Sequence, residues 1–361
     1  MSQASSIDPP ETIAIREGED FDHPRLAEYL KGKLPGSERP LEVVQFAGGH
    51  ANLTYLLRYG NTEYVLRRPP IGPVAPGAHD MGREFRVLSV LYQGYPCAPR
   101  AFVYCEDPAV VGAPFFVMER RRGVVVRRTI PPHFGGGKDP IVNRHISEVL
   151  IDTLADLHDV DARAVGLDTL GNPEGFLRRQ IEGWMRRYQR AKTKEVPVAD
   201  EMCRWLEHHL PPSPPATLLH NDWRLDNMML DANDPGRCEA VFDWDMCTMG
   251  DPLADLGTLL VAWIEAGEPL PDSGQVTMPS MVAGFLTRRE AVERYGRRRG
   301  VDVGNLPYYY VFGLFKMAVV LQQIYHRYHL GQTKDERFRL FEQGAEGLFI
   351  KSKQASETLV V

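Results

Sequence analysis

The rhythm of apolar positions changes part-way along the chain. Across residues 41–59 apolar side chains flank a glycine turn: Val43 and Phe46 come before Gly48-Gly49-His50-Ala51-Asn52, and Leu53, Tyr55 and Leu57 alternate after it. Residues 62–68 (TEYVLRR) keep a period of two, which places Glu63, Val65 and Arg67 on one face of a strand. Residues 80–92 then switch to helical spacing, with Met81, Phe85, Leu88 and Leu91 in one stripe and Glu84 on its flank. Residues 101–105 and 114–118 read as two more strands, completing a five-stranded antiparallel sheet. From residue 123 onward the spacing is helical, after a basic and then Gly/Pro-rich loop at 123–140. The helical stretches are 143–158, 173–191, 198–210, 279–295, 307–330 and 334–350. Pro211-Pro212 stops the third of them. The pattern predicts an α+β chain: an arm over 1–40 with a short helix at 21–31, a small sheet-rich lobe over 41–122, and a large, mostly helical lobe over 123–361.

One short β-patterned stretch interrupts the helical half. In LLHNDWRLDNMMLDANDPGRCEAVFDWDMCTMGDPLADLG (218–257), the apolar runs 228–230 and 240–242 enclose a turn-rich loop, which predicts a hairpin ending at Asp243. Asp222 precedes the first strand, Asn227 follows it by five positions, and Asp243 lies sixteen beyond Asn227. Carboxylate and amide oxygens are hard ligands, suited to Mg²⁺ in few-contact sites that nucleotide phosphates complete. A base (Asp222) and two metal-ligand candidates (Asn227 and Asp243) are the parts that metal-assisted phosphoryl transfer requires. The plain alternative is a surface hairpin with acidic turns. Asp251 and Pro252 open a further helix, since Asp is a favoured N-cap and Pro a favoured first helical residue.

Taken in order, H-x-D-x-x-x-x-N at His220, Asp222 and Asn227, the hairpin, Asp243-Trp244-Asp245 and Gly250-Asp251-Pro252 with Asp255 resemble the aminoglycoside phosphotransferase family, relatives of the choline kinases and protein kinases. The branch fused to acyl-CoA dehydrogenases in some animal proteins is the nearest likeness. With the N-terminal matches the resemblance spans about residues 41–260. It implies a protein kinase-like two-lobed fold in which ATP and Mg²⁺ lie between the lobes, with GTP as the alternative nucleotide. Asp222 would be the general base, and Asn227 and Asp243 the metal ligands. Gly48, Gly49 and Asn52 would belong to the flap over the phosphates, Arg67 and Glu84 to the ion pair facing them, and Glu119 to the hinge segment that meets the adenine. Two departures stand out. Arg67 occupies a position where relatives mostly carry Lys, and Asn221 one where the family prefers Gly. His220 is implied to brace the loop.

Composition narrows the field. Of 361 residues, 43% are hydrophobic and 25% charged, as in ordinary soluble globular chains. The net charge of −6 argues against nucleic-acid binding, and no apolar run is long enough to span a membrane. The first ten residues lack the pattern of a secretory signal, and five cysteines without a C-x-x-C pair suit a reducing, cytoplasmic setting. His326 and His329, at i, i+3 spacing, have no third ligand in a supporting position. Arginines crowd residues 288–299; facing a substrate they would favour an anionic acceptor. The expected partner is a small molecule with a free hydroxyl, of the hydroxyacyl-CoA type or another small alcohol. The competing expectation is a nucleotide-binding module with weakened catalysis, motivated by Arg67 and the thin glycine loop. Oligomeric state has no signature in the sequence.

Overall fold

The structure is a computed structural model that describes residues 11–48, 52–72, 79–268, 278–333 and 335–358. The chain divides into two compact units, 1–121 with 242–245, and 122–241 with 246–361.

The first unit is built on an antiparallel sheet of strands β1 (Thr12–Ile13), β2 (Glu42–Phe46), β3 (Leu53–Tyr59), β4 (Thr62–Arg68), β5 (Ala101–Cys105) and β6 (Phe115–Glu119), in the order β1-β2-β3-β4-β6-β5. The expected sheet had five strands; the sixth is β1, a two-residue strand from the arm that pairs with the edge of β2. Helices α1 (His23–Leu30), α2 (Met81–Leu88) and the short α3 (Pro108–Val111) complete the unit. The arm belongs to its core: Leu26, Leu30 and Leu34 are buried in one cluster with Tyr55, Tyr59, Tyr64, Leu66, Phe115 and Val117. Burial of each such leucine contributes about 1.5–3 kcal/mol. Tyr64 and Leu66 face that cluster, so the strand alternation turns Val65 and Arg67 to the other face.

The second unit carries helices α4 (Pro140–His158), α5 (Phe176–Ala191), α6 (Pro197–His208), α7 (Pro252–Val261), α8 (Arg288–Arg299), α9 (Leu306–His329) and α10 (Phe341–Thr358). Its short strands are β7 (Val124–Val125), β8 (Thr217–Leu219), β9 (Met228–Leu230), β10 (Cys238–Val241) and β11 (Thr248–Gly250). The apolar helix α9 packs against α5, α7 and α10. Its crossing with α7 is close enough that a Cβ on Gly257 would lie 2.7 Å from the Tyr309 backbone, so no larger residue fits there. Helix α8 starts at Arg288, later than the periodicity predicts, because Thr287 and Glu290 form a reciprocal capping box that fixes the first turn. No helix among the described residues is long and apolar enough to cross a membrane.

The pair β8–β11 brackets residues 220–247, and β9 pairs with β10 on one side and β7 on the other. The predicted hairpin, β9 with β10, is therefore part of a three-stranded ribbon with β9 at its centre. Its second strand stops at Val241 rather than at Asp243, because Asp243 adopts φ 70°, in the left-handed region that ends a strand.

Candidate active site

In the larger unit the loop after β8 presents Asp222. A 3-10 turn at Leu225–Asn227 then carries Asn227 to the start of β9. The Asn227 amide nitrogen donates to the Asp222 backbone carbonyl at 2.9 Å and to Asp222 Oδ2 at 3.0 Å. This locks the two side chains together, leaving Asp222 Oδ1 and the Asn227 carbonyl oxygen for other partners.

Asp255, on the first turns of α7, holds this loop. Its carboxylate accepts the backbone N–H of His220 at 2.7 Å and that of Asn221 at 2.8 Å, and its Oδ2 lies 3.4 Å from His158 Nε2. Burial pushes the Asp255 carboxyl up, yet the bonds from His158 and His220 leave it below its ordinary value. Burial likewise lowers His158, whose Nδ1 meets the Tyr295 hydroxyl at 2.7 Å. Fully buried His220 packs edge-on to Trp223, whose indole N–H is fixed by the Leu150 carbonyl at 3.0 Å. Asn221 adopts φ 67°, a backbone that glycine takes freely and that Asn is among the few other residues to tolerate. The sequence placed Asp255 in the motif but gave no sign of this role; its partners lie 34 and 35 positions away.

In the smaller unit Arg67 projects from β4 between two carboxylates. Its Nε lies 3.1 Å from Glu84 Oε2, and an Nη bonds Asp243 Oδ1. The Asn52 amide, oriented so that both ends are satisfied, accepts from Arg67 at 2.6 Å and donates to His79 Nδ1 at 2.8 Å. Glu84 Oε1 also accepts the Trp244 backbone N–H at 3.3 Å. Burial works against the Arg67 charge, but Glu84, Asp243 and Asp245 together raise its pKa. The carboxyl that gives way is Glu84: burial, with Asp243 and Asp245 near, lifts it to about 7 despite Arg67.

The remaining candidates are plainly placed. Gly48 follows β2, and Gly49 lies outside the described residues. The Glu119 backbone N–H is committed to the Arg100 carbonyl at 2.8 Å, and its carboxylate accepts from Arg100 N at 3.0 Å and pairs with Arg121 at 2.6 Å. Three arginines of α8 are taken by acids on α4 or at its C-terminal cap: Arg294 by Asp152 at 2.6 Å, Arg298 by Asp156 at 2.5 Å, and Arg299 by the capping Asp159 at 3.3 Å. They hold the helices together rather than offering a free cationic face.

Comparison with known proteins places this geometry in context. A family model described as the phosphotransferase enzyme family matches residues 42–292. Acyl-CoA dehydrogenase family member 11 of Gallus gallus is 33% identical over 97% of this chain and 45% of its own length; the chain thus spans about half the length of that curated relative. A provisionally named aminoglycoside phosphotransferase of known structure from Ralstonia eutropha JMP134 is 27% identical, with a TM-score of 0.81 over 94% of this chain and 99% of that one. A thermostable aminoglycoside phosphotransferase APH(4)-Ia variant, solved with ADP and hygromycin B, shares the fold at a TM-score of 0.58 and 15% identity, over 91% of this chain and 98% of that one.

Proposed function

Because the chain belongs to the phosphotransferase enzyme family, we propose that it transfers the γ-phosphate of ATP, with Mg²⁺, to the hydroxyl of a small molecule. The observation that carries this reading is the Asp222–Asn227 pair on a loop pinned by Asp255. Asp222 Oδ2 is occupied by the Asn227 amide, so Oδ1 is the atom that would accept the acceptor's proton. In loose phosphoryl transfer the gain comes mostly from positioning and charge rather than strong base chemistry.

The residues present suit a divalent ion. Each unit carries a hard-oxygen donor of the kind such an ion takes, the Asn227 carbonyl in the larger and the Asp243 carboxylate in the smaller. Arg67, Glu84, Asp243 and Asp245 carry three carboxylates against one guanidinium, a surplus of negative charge that a cation would neutralise. Bound there, Mg²⁺ would offset the charge of the transferring phosphate oxygens. Arg67 keeps the ion pair with Glu84 that a lysine makes in relatives, and its fork can also bond phosphate oxygens. The reading as a catalytically weakened nucleotide binder thereby loses its main motive. The relation to acyl-CoA dehydrogenase family member 11 makes hydroxyacyl-CoA esters reasonable first acceptors to try alongside simple alcohols.

Replacing Asp222 with Asn tests the proposal. Turnover with a competent acceptor should fall about a thousandfold, while Mg-ATP still binds in a calorimetric titration. Unchanged turnover in Asp222→Asn would refute it.

A further inference from the structure

The pin on the Asp222 loop has a further layer behind it. Asp255 accepts the His220 and Asn221 backbone N–H groups, and its Oδ2 also faces His158 Nε2 at 3.4 Å. On the far side of the ring, His158 Nδ1 meets the Tyr295 hydroxyl at 2.7 Å, the shorter of the two ring contacts. Asp255, His158 and Tyr295 are all buried, and the Tyr295 ring stands edge-on to the imidazole at 5.8 Å. A bonded path thus runs from α8 through α4 and α7 to the backbone that carries Asp222. Ion pairs flank its outer end and set the register of α8 on α4: Arg294 with Asp152 before Tyr295, and Arg298 with Asp156 after it. Tyr295 lies beyond residue 292, where the match to the family model ends.

The path fixes where its protons lie. Burial lowers the His158 pKa against the pull of Asp255, so the ring is neutral and bears a single N–H. The ionised Asp255 carboxylate only accepts, so the N–H that faces it is Nε2–H. Nδ1 is then bare, and a bare nitrogen at a buried position needs a donor. Tyr295 supplies it: burial pushes the phenol pKa up, so the hydroxyl keeps its proton. The other tautomer would set a bare Nε2 against a carboxylate oxygen, two acceptors face to face.

We propose that Tyr295 is a positioning residue for Asp222: its hydroxyl holds His158 as the Nε2–H tautomer, which completes the donors on Asp255 and so sets the backbone of the loop. The role of Asp222 rests on the kinase reading above. The proposal deepens that reading by placing one control of the proposed base on α8, three elements away along the bonded path.

The test uses the full chain and compares Tyr295→Phe with Tyr308→Phe. Tyr308 is also buried, and its hydroxyl donates to the Leu206 carbonyl at 2.7 Å, so each variant loses one buried hydroxyl bond. In nitrogen-15 spectra of the histidines, the wild-type His158 ring should show a proton on Nε2 and a hydrogen-bonded, bare Nδ1. Its signals are identified by their loss in His158→Gln or by contact with the Tyr295 ring protons, so the wild-type spectrum tests the proton placement even if a variant is unstable. Tyr295→Phe should lose the hydrogen-bonded Nδ1 signature. Hydrogen exchange over residues 218–224, read by mass spectrometry, should become about tenfold faster in Tyr295→Phe and stay unchanged in Tyr308→Phe. ADP release from Mg-ATP with glycerol or 3-hydroxybutyryl-CoA should show kcat about tenfold lower in Tyr295→Phe, with KM for Mg-ATP unchanged. The first two readouts need no acceptor, so they decide the proposal whether or not either alcohol is phosphorylated. An imidazolium or an Nδ1–H tautomer in the wild type overturns it. Loop exchange that rises equally in both variants also overturns it, since Tyr295 would then support the fold and nothing more. Tautomer and exchange changes as expected, in a chain that neither binds nor turns over Mg-ATP, uphold the role of Tyr295 and sink the kinase reading. Turnover lost in Asp222→Asn beside an unmoved loop in Tyr295→Phe does the reverse.

Discussion

Two buried charge clusters in this chain are balanced in opposite ways. In the larger unit one carboxylate, Asp255, is shared by two backbone N–H groups and His158, and its pKa is held below the ordinary value. In the smaller unit one guanidinium, Arg67, is shared by Glu84 and Asp243, and Glu84 is lifted to about 7. The first has donors to spare and is complete as it stands. The second has carboxylates to spare, an excess that either a proton on Glu84 or a further cation would offset. On the function proposed above, the difference is that between a framework, which fixes the backbone of a loop, and a working site, whose surplus negative charge suits it to a cation.

The largest effect should follow from damage to the framework. Asp255→Asn turns an amide donor towards one of the two backbone N–H groups that need an acceptor, at a fully buried position. A loss of about 3–5 kcal/mol is expected, measured as a lower urea midpoint, together with loss of any phosphotransfer. The same cluster should make the fold sensitive to acid. His158 is kept neutral by burial, so its folded pKa lies below 6.5, and the unfolded chain takes up a proton first. The stability it contributes is present above about pH 6.5 and is lost as pH falls through the lowered value. Asp255, also depressed, adds a further loss at lower pH.

Damage to the working site should cost less in stability and more in binding. Arg67→Met leaves Glu84 without its cation, but a carboxyl already lifted to about 7 can take a proton and relieve the strain. We expect a loss of about 1–3 kcal/mol, with Mg-ATP affinity in calorimetry falling by more than in Arg67→Lys. If Arg67→Met unfolds the chain as readily as Asp255→Asn, the distinction between the two clusters fails.

What the sequence disclosed follows the same division. The Arg67–Glu84 ion pair is legible through the family resemblance, with a period of two on β4 and a helical stripe on α2 setting only the face of each residue. Asp222 and Asn227 are legible from the motif, whose members lie within eight residues of one another. The clamp by Asp255 was not, since it joins α7 to a loop more than thirty positions earlier and nothing local marks an aspartate as facing inward. Strand β1 escaped notice because two residues are too few to show alternation. The start of α8 is legible in Thr287 and Glu290, which spell a capping box inside a stretch whose periodicity alone predicts continuous helix.

The smallest effect tests whether the framework reaches to single backbone angles. Asn221 is held at φ 67° by two pins: its backbone N–H on Asp255 and its side-chain amide on the Met246 carbonyl at 2.8 Å. A β-carbon without a compensating hydrogen bond is strained there, so Asn221→Ala should cost about 1–2 kcal/mol. Asn221→Gly loses the bond to Met246 but relieves the strain, and should stay within about 0.5 kcal/mol of the wild type. Both midpoints come from one set of urea titrations. Ala tolerated as well as Gly would mean that the loop is not held at this angle in solution, and that Asp255 fixes less of the site than its three bonds imply.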